Sequence, residues 1–318
     1  MIVDSFLALI SDWLFMAAVG VYVLAMALHT AEYATARAAR VPVLLAPDAP
    51  VDNDLVAVSG PPEPPQVRSR RSRPERLGRM ALSITVLGAL LHAASLVTRG
   101  IAAERWPLGN MYEFTSAICL VAVVAWLAVL SRAGAGRAST LRAVGPFVLL
   151  PVVVLLFLAG TVLYAQAAPV QPALQSYWLA VHVTAVSVSS GMLLVAGVAS
   201  LLYLVRRTGR AERLPSADAL DRLAYRVTIV AFPVYTFAVV AGAIWAEAAW
   251  GRFWGWDPKE TVAFVAWVVY AAYLHARATA GWRTGRAAWI NVAGFAVVAF
   301  NLFFINMVVA GLHSYAGL

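Results

Sequence analysis

Long runs of apolar residues, separated by short polar segments, make up most of this chain. A helix must contain about 20 apolar residues to cross the hydrocarbon core of a bilayer. Eight runs approach or exceed that length: 6–31, 80–98, 113–131, 144–165, 177–205, 226–246, 261–280 and 287–312. Lipid offers no partners for backbone hydrogen bonds, so runs of this length must be helical. The pattern predicts an all-α integral membrane protein, a polytopic bundle of about eight transmembrane helices.

The composition excludes a soluble domain. Hydrophobic residues make up 62% of the 318 positions, charged residues only 13%, and the mean hydropathy is +0.76. The first apolar run has no basic segment before it and contains an acid, Asp12, which is atypical of a cleaved signal peptide. We therefore interpret this run as a retained helix.

The polar and apolar segments divide the chain into three parts. Residues 1–34 are predicted to form the first transmembrane helix. Residues 35–79, rich in Pro, Ser and Arg, are predicted to be a disordered cytoplasmic linker. Residues 80–318 are predicted to form a membrane domain of seven helices, with an external loop at 245–260.

The basic residues predict how the bundle is oriented, because cytoplasmic loops of membrane proteins are enriched in Lys and Arg. One set of loops holds 20 of the 24 basic residues: 32–79, 132–143, 206–226 and 277–286. The opposite loops hold the other four: Arg99, Arg105, Arg252 and Lys259. Both termini are therefore predicted to be extracytoplasmic. Anionic lipid headgroups account for the net charge of +8, and no nucleic-acid partner is expected.

The external loop contains an unusual aromatic segment, WGRFWGWDPKE, at residues 250–260. An interfacial aromatic belt explains isolated tryptophans such as Trp106 or Trp178. Four indoles between residues 245 and 256 exceed what such a belt needs, and they indicate a flat apolar ligand. Asp257, followed by a proline and by Glu260, also resembles a helix start.

Histidines within membrane spans are candidates for function. His182 and His313 are both predicted to lie near the outer surface, level with the tryptophan loop. Two neutral imidazoles facing each other in an aromatic environment are what six-coordinate haem iron requires. His275 is predicted to lie in the inner half of the membrane, and its partner is open. The single cysteine, Cys119, excludes an intrachain disulfide and is interpreted as a core residue.

Several segments resemble the CcsA/ResC family of system II cytochrome c biogenesis, which includes actinobacterial CcsB-like members and belongs to the WWD haem-handling superfamily. The strongest is WAEAAWGRFWGWDPKETVAFVAWVVYAAYLHAR at 245–277, followed by FFINMVVAGLHSY at 303–315. Weaker similarity extends through YWLAVHV at 177–183 to PLGNMYEF at 107–114. Asn110 and Glu113, in the last of these, are candidates for shaping the site.

The resemblance implies roles for particular residues. His182 and His313 match the family's external haem ligands, and His275 matches its transmembrane haem histidine. Trp250, Trp254, Trp256 and Asp257 match the WWD segment. The full set of candidate haem-binding residues is His182, His313, His275, Trp245, Trp250, Arg252, Phe253, Trp254, Trp256, Asp257 and Lys259. His29 and His92 match no family ligand.

Haem presents two propionates as well as an apolar edge, and each propionate needs a charge-assisted donor. Arg252 and Lys259, the latter the single lysine of the chain, are the candidates in the loop. The alternative for Lys259 is a structural role, in which it caps the next helix or pairs with Glu260.

The resemblance also implies the reaction and its partners. Haem b passes to the external site of a multi-pass protein of the bacterial plasma membrane. There it is joined to the CxxCH motif of an apocytochrome c whose thiols other proteins keep reduced. A ResB-type protein completes this synthase, and it is one possible source of the second ligand to the His275 haem, beside His29 and His92. Two alternatives stay open: a bis-haem electron-transfer subunit, and a haem exporter without attachment activity.

Overall fold

The computed structural model describes residues 3–36, 72–170, 175–209, 211–279, 282 and 285–313, and within these ranges it contains helices and no β-strand. The helices are α1 Ser5–Thr35, α2 Arg73–Ala102, α3 Met111–Arg132, α4 Ala135–Arg142, α5 Gly145–Thr161, α6 Tyr177–Arg207, α7 Ala217–Trp250, α8 Pro258–Ala278 and α9 Gly285–Phe300. A π-helical segment, Asn301–Ile305, and a last helical turn, Asn306–Val308, continue α9. The all-α prediction is confirmed.

The number of predicted spans is also confirmed. In the described part of the chain, seven helices are long and apolar enough to cross a membrane. An eighth span arises if α4 and α5, which meet at an angle of 44°, are counted together. Helix α2 begins at Arg73, within the predicted linker 35–79. The C-terminal part of that segment, from residue 73 onward, is therefore helical. Its residues 37–71 lie outside the described residues.

The loop predicted at 245–260 is shorter in the structure. Helix α7 continues through Trp250, and α8 begins at Pro258, which leaves only Gly251–Asp257 outside helices. Gly251 ends α7 in the left-handed region at φ 71°, where a residue without a Cβ atom is favoured. Trp245 and Trp250 are therefore held on a helix, and only Trp254 and Trp256 are on the loop.

The helices pack as two long pairs that α3 connects. Helix α1 lies along α2, and α6 lies along α7, while α3 packs against both α5 and α6. The side chains of Trp126 and Cys119, both on α3, are fully buried in the larger core. This packing confirms that the one cysteine has a core position.

A buried ion cluster ties the first pair of helices to α3 at the end of the bundle that is predicted to be external. Arg99 on α2 donates to Glu113 on α3 at 2.7 Å and lies 3.4 Å from Asp12 on α1. Arg105 pairs with both oxygens of Glu113, at 2.7 and 2.9 Å. Because Glu113 is fully buried, loss of both arginines would leave its charge desolvated and without a cation, which costs several kcal/mol. Glu113 therefore has a structural role here.

The orientation predicted from the arginines is testable with single cysteines in a Cys119→Ala background. Glu247, near the end of α7, and Glu212, between α6 and α7, are both exposed. We expect a membrane-impermeant maleimide to label Glu247→Cys in intact spheroplasts and to label Glu212→Cys only after permeabilisation. The reverse pattern would show that the bundle has the opposite orientation.

Candidate functional site

Seven of the predicted site residues line a cleft at the end of the bundle where α3, α6 and α8 begin and α7 ends. Its empty volume, counted out to its mouth, is about 1100 Å³. The residues that line it, here called the histidine cleft, include Asn110, Met111, Phe114, Leu179, His182, Tyr235, Gly242, Trp245, Trp250, Phe253, Trp254, Lys259, Asn301 and His313. Most of this lining is apolar, as is typical of sites that bind small molecules.

His182 lies in the second turn of α6 and faces α7. Its Nδ1 atom lies 2.8 Å from the carbonyl oxygen of Ala238. A carbonyl oxygen can only accept, so Nδ1 carries the proton and the neutral ring has its lone pair on Nε2. Metal-binding histidines are commonly oriented by such a bond through the other nitrogen. A Cβ atom on Gly242 would lie 2.7 Å from the His182 ring, so the glycine makes room for it.

His313 is oriented by Asp257, the acid of the tryptophan segment. Its Nδ1 atom lies 2.9 Å from Oδ2 of Asp257. The other oxygen, Oδ1, accepts the N–H of Leu312 at 2.8 Å. Burial on its own would raise the pKa of Asp257, but the hydrogen bonds from Leu312 and His313 outweigh it and hold this pKa below its usual value. The carboxylate therefore accepts a hydrogen bond from Nδ1–H of His313. The proton stays on Nδ1, and Nε2 keeps its lone pair.

Burial also determines the protonation state of His313. It lowers the pKa of His313 to about 4, and the positive charge of Lys259 acts in the same direction. The imidazole is thus neutral at physiological pH, as a metal ligand must be.

Trp245 contacts both histidines. Its indole stacks on His182, with ring centroids 6.0 Å apart and planes 11° apart. The His313 ring meets the same indole at 5.7 Å and Trp250 at 5.0 Å, both edge to face. The structure thus brings His182, His313, Trp245 and Trp250 into one aromatic cluster, as the sequence predicts.

Glu260 fixes the path of the loop below this cluster. Its Oε2 atom accepts the N–H groups of Gly255 and Asp257, at 2.9 and 3.1 Å. Together with Asp257 at the N-cap of α8, it forms the capping box that the sequence indicates. Trp256, between the two bonded N–H groups, has φ 56°, a left-handed value that is uncommon for a residue with a side chain.

The remaining loop residues differ in position. Phe253 and Trp254 line the cleft, whereas Trp256 is 66% exposed and contacts Trp254 and Phe264 instead. Arg252 does not line it, and its guanidinium lies 3.9 Å from Glu260.

His275 lies far from the cleft. It is in the last turn of α8 with its side chain on the exposed surface of the helix, and no described residue forms a hydrogen bond with its ring. An imidazole on a lipid-facing surface is expensive without a partner. The described part of the chain offers neither His29 nor His92 as that partner, because both are fully buried elsewhere.

His29 and His92 belong to the bundle of the first three helices. His92 on α2 lies 2.7 Å from Ser116 on α3 and 3.4 Å from Tyr22 on α1. His29 on α1 lies 3.4 Å from the hydroxyl of Thr85 on α2 and 3.5 Å from Glu32 of its own helix, which pairs with Arg142 at 2.9 Å. Both histidines link helices through polar contacts within the membrane.

Sequence reasoning missed several positions in the cleft. Gly242, Met111 and Tyr235 line it, but neither their type nor their spacing distinguishes them from other residues of apolar helices. Asn110, a candidate from the sequence, both lines the cleft and caps α3 by accepting the N–H of Glu113 at 2.9 Å.

The fold and site define a class: a multi-span helical membrane protein whose histidine- and tryptophan-lined cleft opens at one end of the bundle. Residues 108–313 match the protein family described as "Cytochrome C assembly protein". The chain is similar to cytochrome c biogenesis protein CcsA of Synechococcus sp. strain CC9902, with 34% identity over 273 residues, which cover 77% of this chain and 88% of that protein. It is also similar to CcsA of Guillardia theta, with 33% identity over 261 residues, 74% of this chain and 84% of that one. The chain therefore belongs to the cytochrome c assembly family, with CcsA-type proteins as its relatives.

A solved structure shows the same fold. The chain superposes on cytochrome c heme lyase CcmF with a TM-score of 0.64 at 17% identity. The match covers 93% of this chain and 46% of the CcmF chain. At this identity the likeness concerns the fold alone, and it spans less than half of CcmF.

The close approach of Gly242 to His182 is testable. In Gly242→Ala the new Cβ atom must displace the imidazole from Ala238, so we expect at least a ten-fold loss of haem that co-purifies with the protein, on the order of an overpacking penalty. Gly20→Ala, in α1, is the control, because no atom lies within 4 Å of its new Cβ. Absorption spectra of the purified variants measure the haem. Equal haem in both would show that His182 does not need this position.

Proposed function

We propose that this protein receives haem b and presents it in the histidine cleft, between His182 and His313, for covalent attachment to apocytochrome c. Membership in the cytochrome c assembly family supports this function. The names of its relatives, a cytochrome c biogenesis protein and a heme lyase, refer to the same process. Haem is here a substrate that passes through the site.

One observation supports the proposal most strongly. Two histidines from distant parts of the chain line the same cleft, and a hydrogen bond at Nδ1 fixes the tautomer of each ring. Ala238 and Asp257 each bind an Nδ1 atom, at 2.8 and 2.9 Å. Both rings therefore direct their lone pair through Nε2. Such a donor pair suits haem iron, which takes imidazole nitrogen as an axial ligand.

The walls of the cleft fit the rest of the macrocycle. Trp245 and Trp250 supply flat apolar surfaces beside both imidazoles, and Phe253 and Trp254 extend that surface toward the mouth. A macrocycle bound by both histidines would lie against the Trp245 indole, which contacts each of their rings.

Attachment joins each vinyl group of ferrous haem to a cysteine thiol of the CxxCH motif, so that the S–H adds across the vinyl double bond. The residues of this chain position the haem and exclude competing water, while the reactive groups belong to haem and thiol. The histidine of the apocytochrome then replaces one protein ligand and releases the product. His313 suits that exchange, because it lies outside the helices, beyond the described turn Asn306–Val308.

We propose a second haem position at His275, deeper in the membrane. Its exposed imidazole suggests that a second protein completes this site, and a ResB-type subunit with a histidine of its own has the required chemistry. In this proposal the protein is one part of a system II synthase in the bacterial plasma membrane. Its histidine cleft faces outward, where proteins that keep the apocytochrome thiols reduced act on the same substrate.

The two proposed axial ligands, His182 and His313, are tested by glycine variants that remove the imidazole and leave a cavity. We expect His182→Gly and His313→Gly each to abolish maturation of c-type cytochromes, and we expect added imidazole to restore part of it by occupying the vacated axial position. Haem staining of cytochrome c in a strain without the endogenous synthase measures this. His92→Ala is the control, and a milder loss is expected because its ring lies outside the cleft. Full activity of the double variant His182→Gly/His313→Gly would overturn the assignment.

The deep site is tested separately. We expect His275→Ala to lower the haem that co-purifies with the complex and to impair maturation, because the iron loses an axial ligand. Thr279→Ala, one helical turn further along the same exposed surface, is the matched control and retains both. Normal haem content and full maturation in His275→Ala would remove the deep site from the proposal.

A further inference from the structure

The single lysine of the chain lines the histidine cleft without a carboxylate partner among the described residues. The Nζ atom of Lys259 donates to the Oδ1 atom of Asn306. Of the two nearby acids, Asp257 is engaged by His313 and the N–H of Leu312. Glu260, which also lines the cleft, binds the loop N–H groups through Oε2, and its buried Oε1 atom has no hydrogen-bond partner among the described residues. An ammonium group has three donors, so Lys259 retains donors for a ligand.

A π-helical segment places two carboxamides beside this lysine. Asn306 contacts its ammonium group, and the Nδ2 atom of Asn301 donates to its backbone carbonyl at 3.2 Å. Residues five apart on an α-helix point about 140° away from each other, at 100° per residue. The bonds of a π-helical turn join residues five apart, which brings both asparagines to one face. Such turns are often found at functional sites.

Lys259 and Arg252 are the two cations that the sequence offers to a haem carboxylate, and their positions distinguish them. Lys259 lines the cleft, close enough to His313 to lower the pKa of that histidine. Arg252 does not line the cleft, and its nearest acid is Glu260 at 3.9 Å. The Nη1 atom of Arg252 is buried without a hydrogen-bond partner among the described residues, but Arg252 does not line the cleft, so of these two cations only Lys259 faces an anion that enters it.

We propose that Lys259, held by Asn306, is the carboxylate-binding position of the histidine cleft, and that it fixes which edge of the haem enters first. This inference rests on the proposed function and deepens it. The two propionates are on one edge of the macrocycle and the two vinyl groups are on the other. With a propionate at Lys259, the vinyl edge points away from the lysine, where the cysteine thiols must reach it.

Binding of ferric haem and of its dimethyl ester, followed by Soret absorption of the purified protein in detergent, tests this position. The ester keeps the iron, the ring and the vinyl groups but has no propionate charge. We expect the wild-type protein to bind haem roughly ten-fold more tightly than the ester, the size of one charge-assisted hydrogen bond. Lys259→Gln removes this preference by weakening haem binding alone, whereas Lys259→Arg and Arg252→Gln retain it.

A second variant separates the charge from the shape of the site. Asn306→Asp supplies a carboxylate at the atom that already contacts Lys259, so it competes with the propionate, and we expect it to abolish the preference as Lys259→Gln does. Retention of the preference in Lys259→Gln, or its loss in Arg252→Gln, overturns the inference. Six-coordinate binding of both compounds by the wild-type protein with equal affinity also overturns it, and leaves the proposed function standing. Failure of the wild-type protein to bind either compound overturns the proposed function as well.

Discussion

The hydrogen bond between Asp257 and His313 connects the two segments on which the site depends. The same carboxylate caps α8, accepts the N–H of Leu312 and orients the His313 ring. The tryptophan loop and the closing segment are thereby held together, although more than 50 residues separate them in the sequence. A Cβ atom on Gly311 would lie only 2.8 Å from the Asp257 carboxylate, so the closing segment also needs a glycine at this point.

The opposite wall of the cleft is held by charges that never enter it. Glu113 receives both arginines of the α2–α3 connection and the N–H of Gly109. That arrangement fixes the start of α3, where Asn110 and Met111 face the cleft. A buried ion network of this kind is costly to break, because the unpaired partner stays desolvated. It thereby holds the start of α3, where Asn110 and Met111 line the cleft.

The two candidate haem positions differ in what the chain provides. At the cleft, this chain alone supplies both histidines, their hydrogen-bond acceptors and the aromatic walls. At His275 it supplies one exposed imidazole in the last turn of α8. The first position opens at one end of the bundle, and the second lies on the outer surface of a helix. This difference fits a protein that receives haem from one side and passes it on at another.

The sequence by itself predicted the membrane helices, their approximate number, and the histidines and tryptophans that line the cleft. Apolar run length predicts membrane helices because lipid excludes unpaired backbone groups, and the Asp257–Pro258–Glu260 pattern predicted the start of α8. The tertiary structure alone decided which polar groups meet. Four contacts between different helices show this. Gly242 and the carbonyl of Ala238 lie against His182, Glu113 pairs with Arg99, and Asn306 contacts Lys259. In each case the contact depends on the rotation and packing of the helices. The spacing of apolar residues in a membrane helix does not predict that rotation, because lipid-facing and core-facing positions are both apolar.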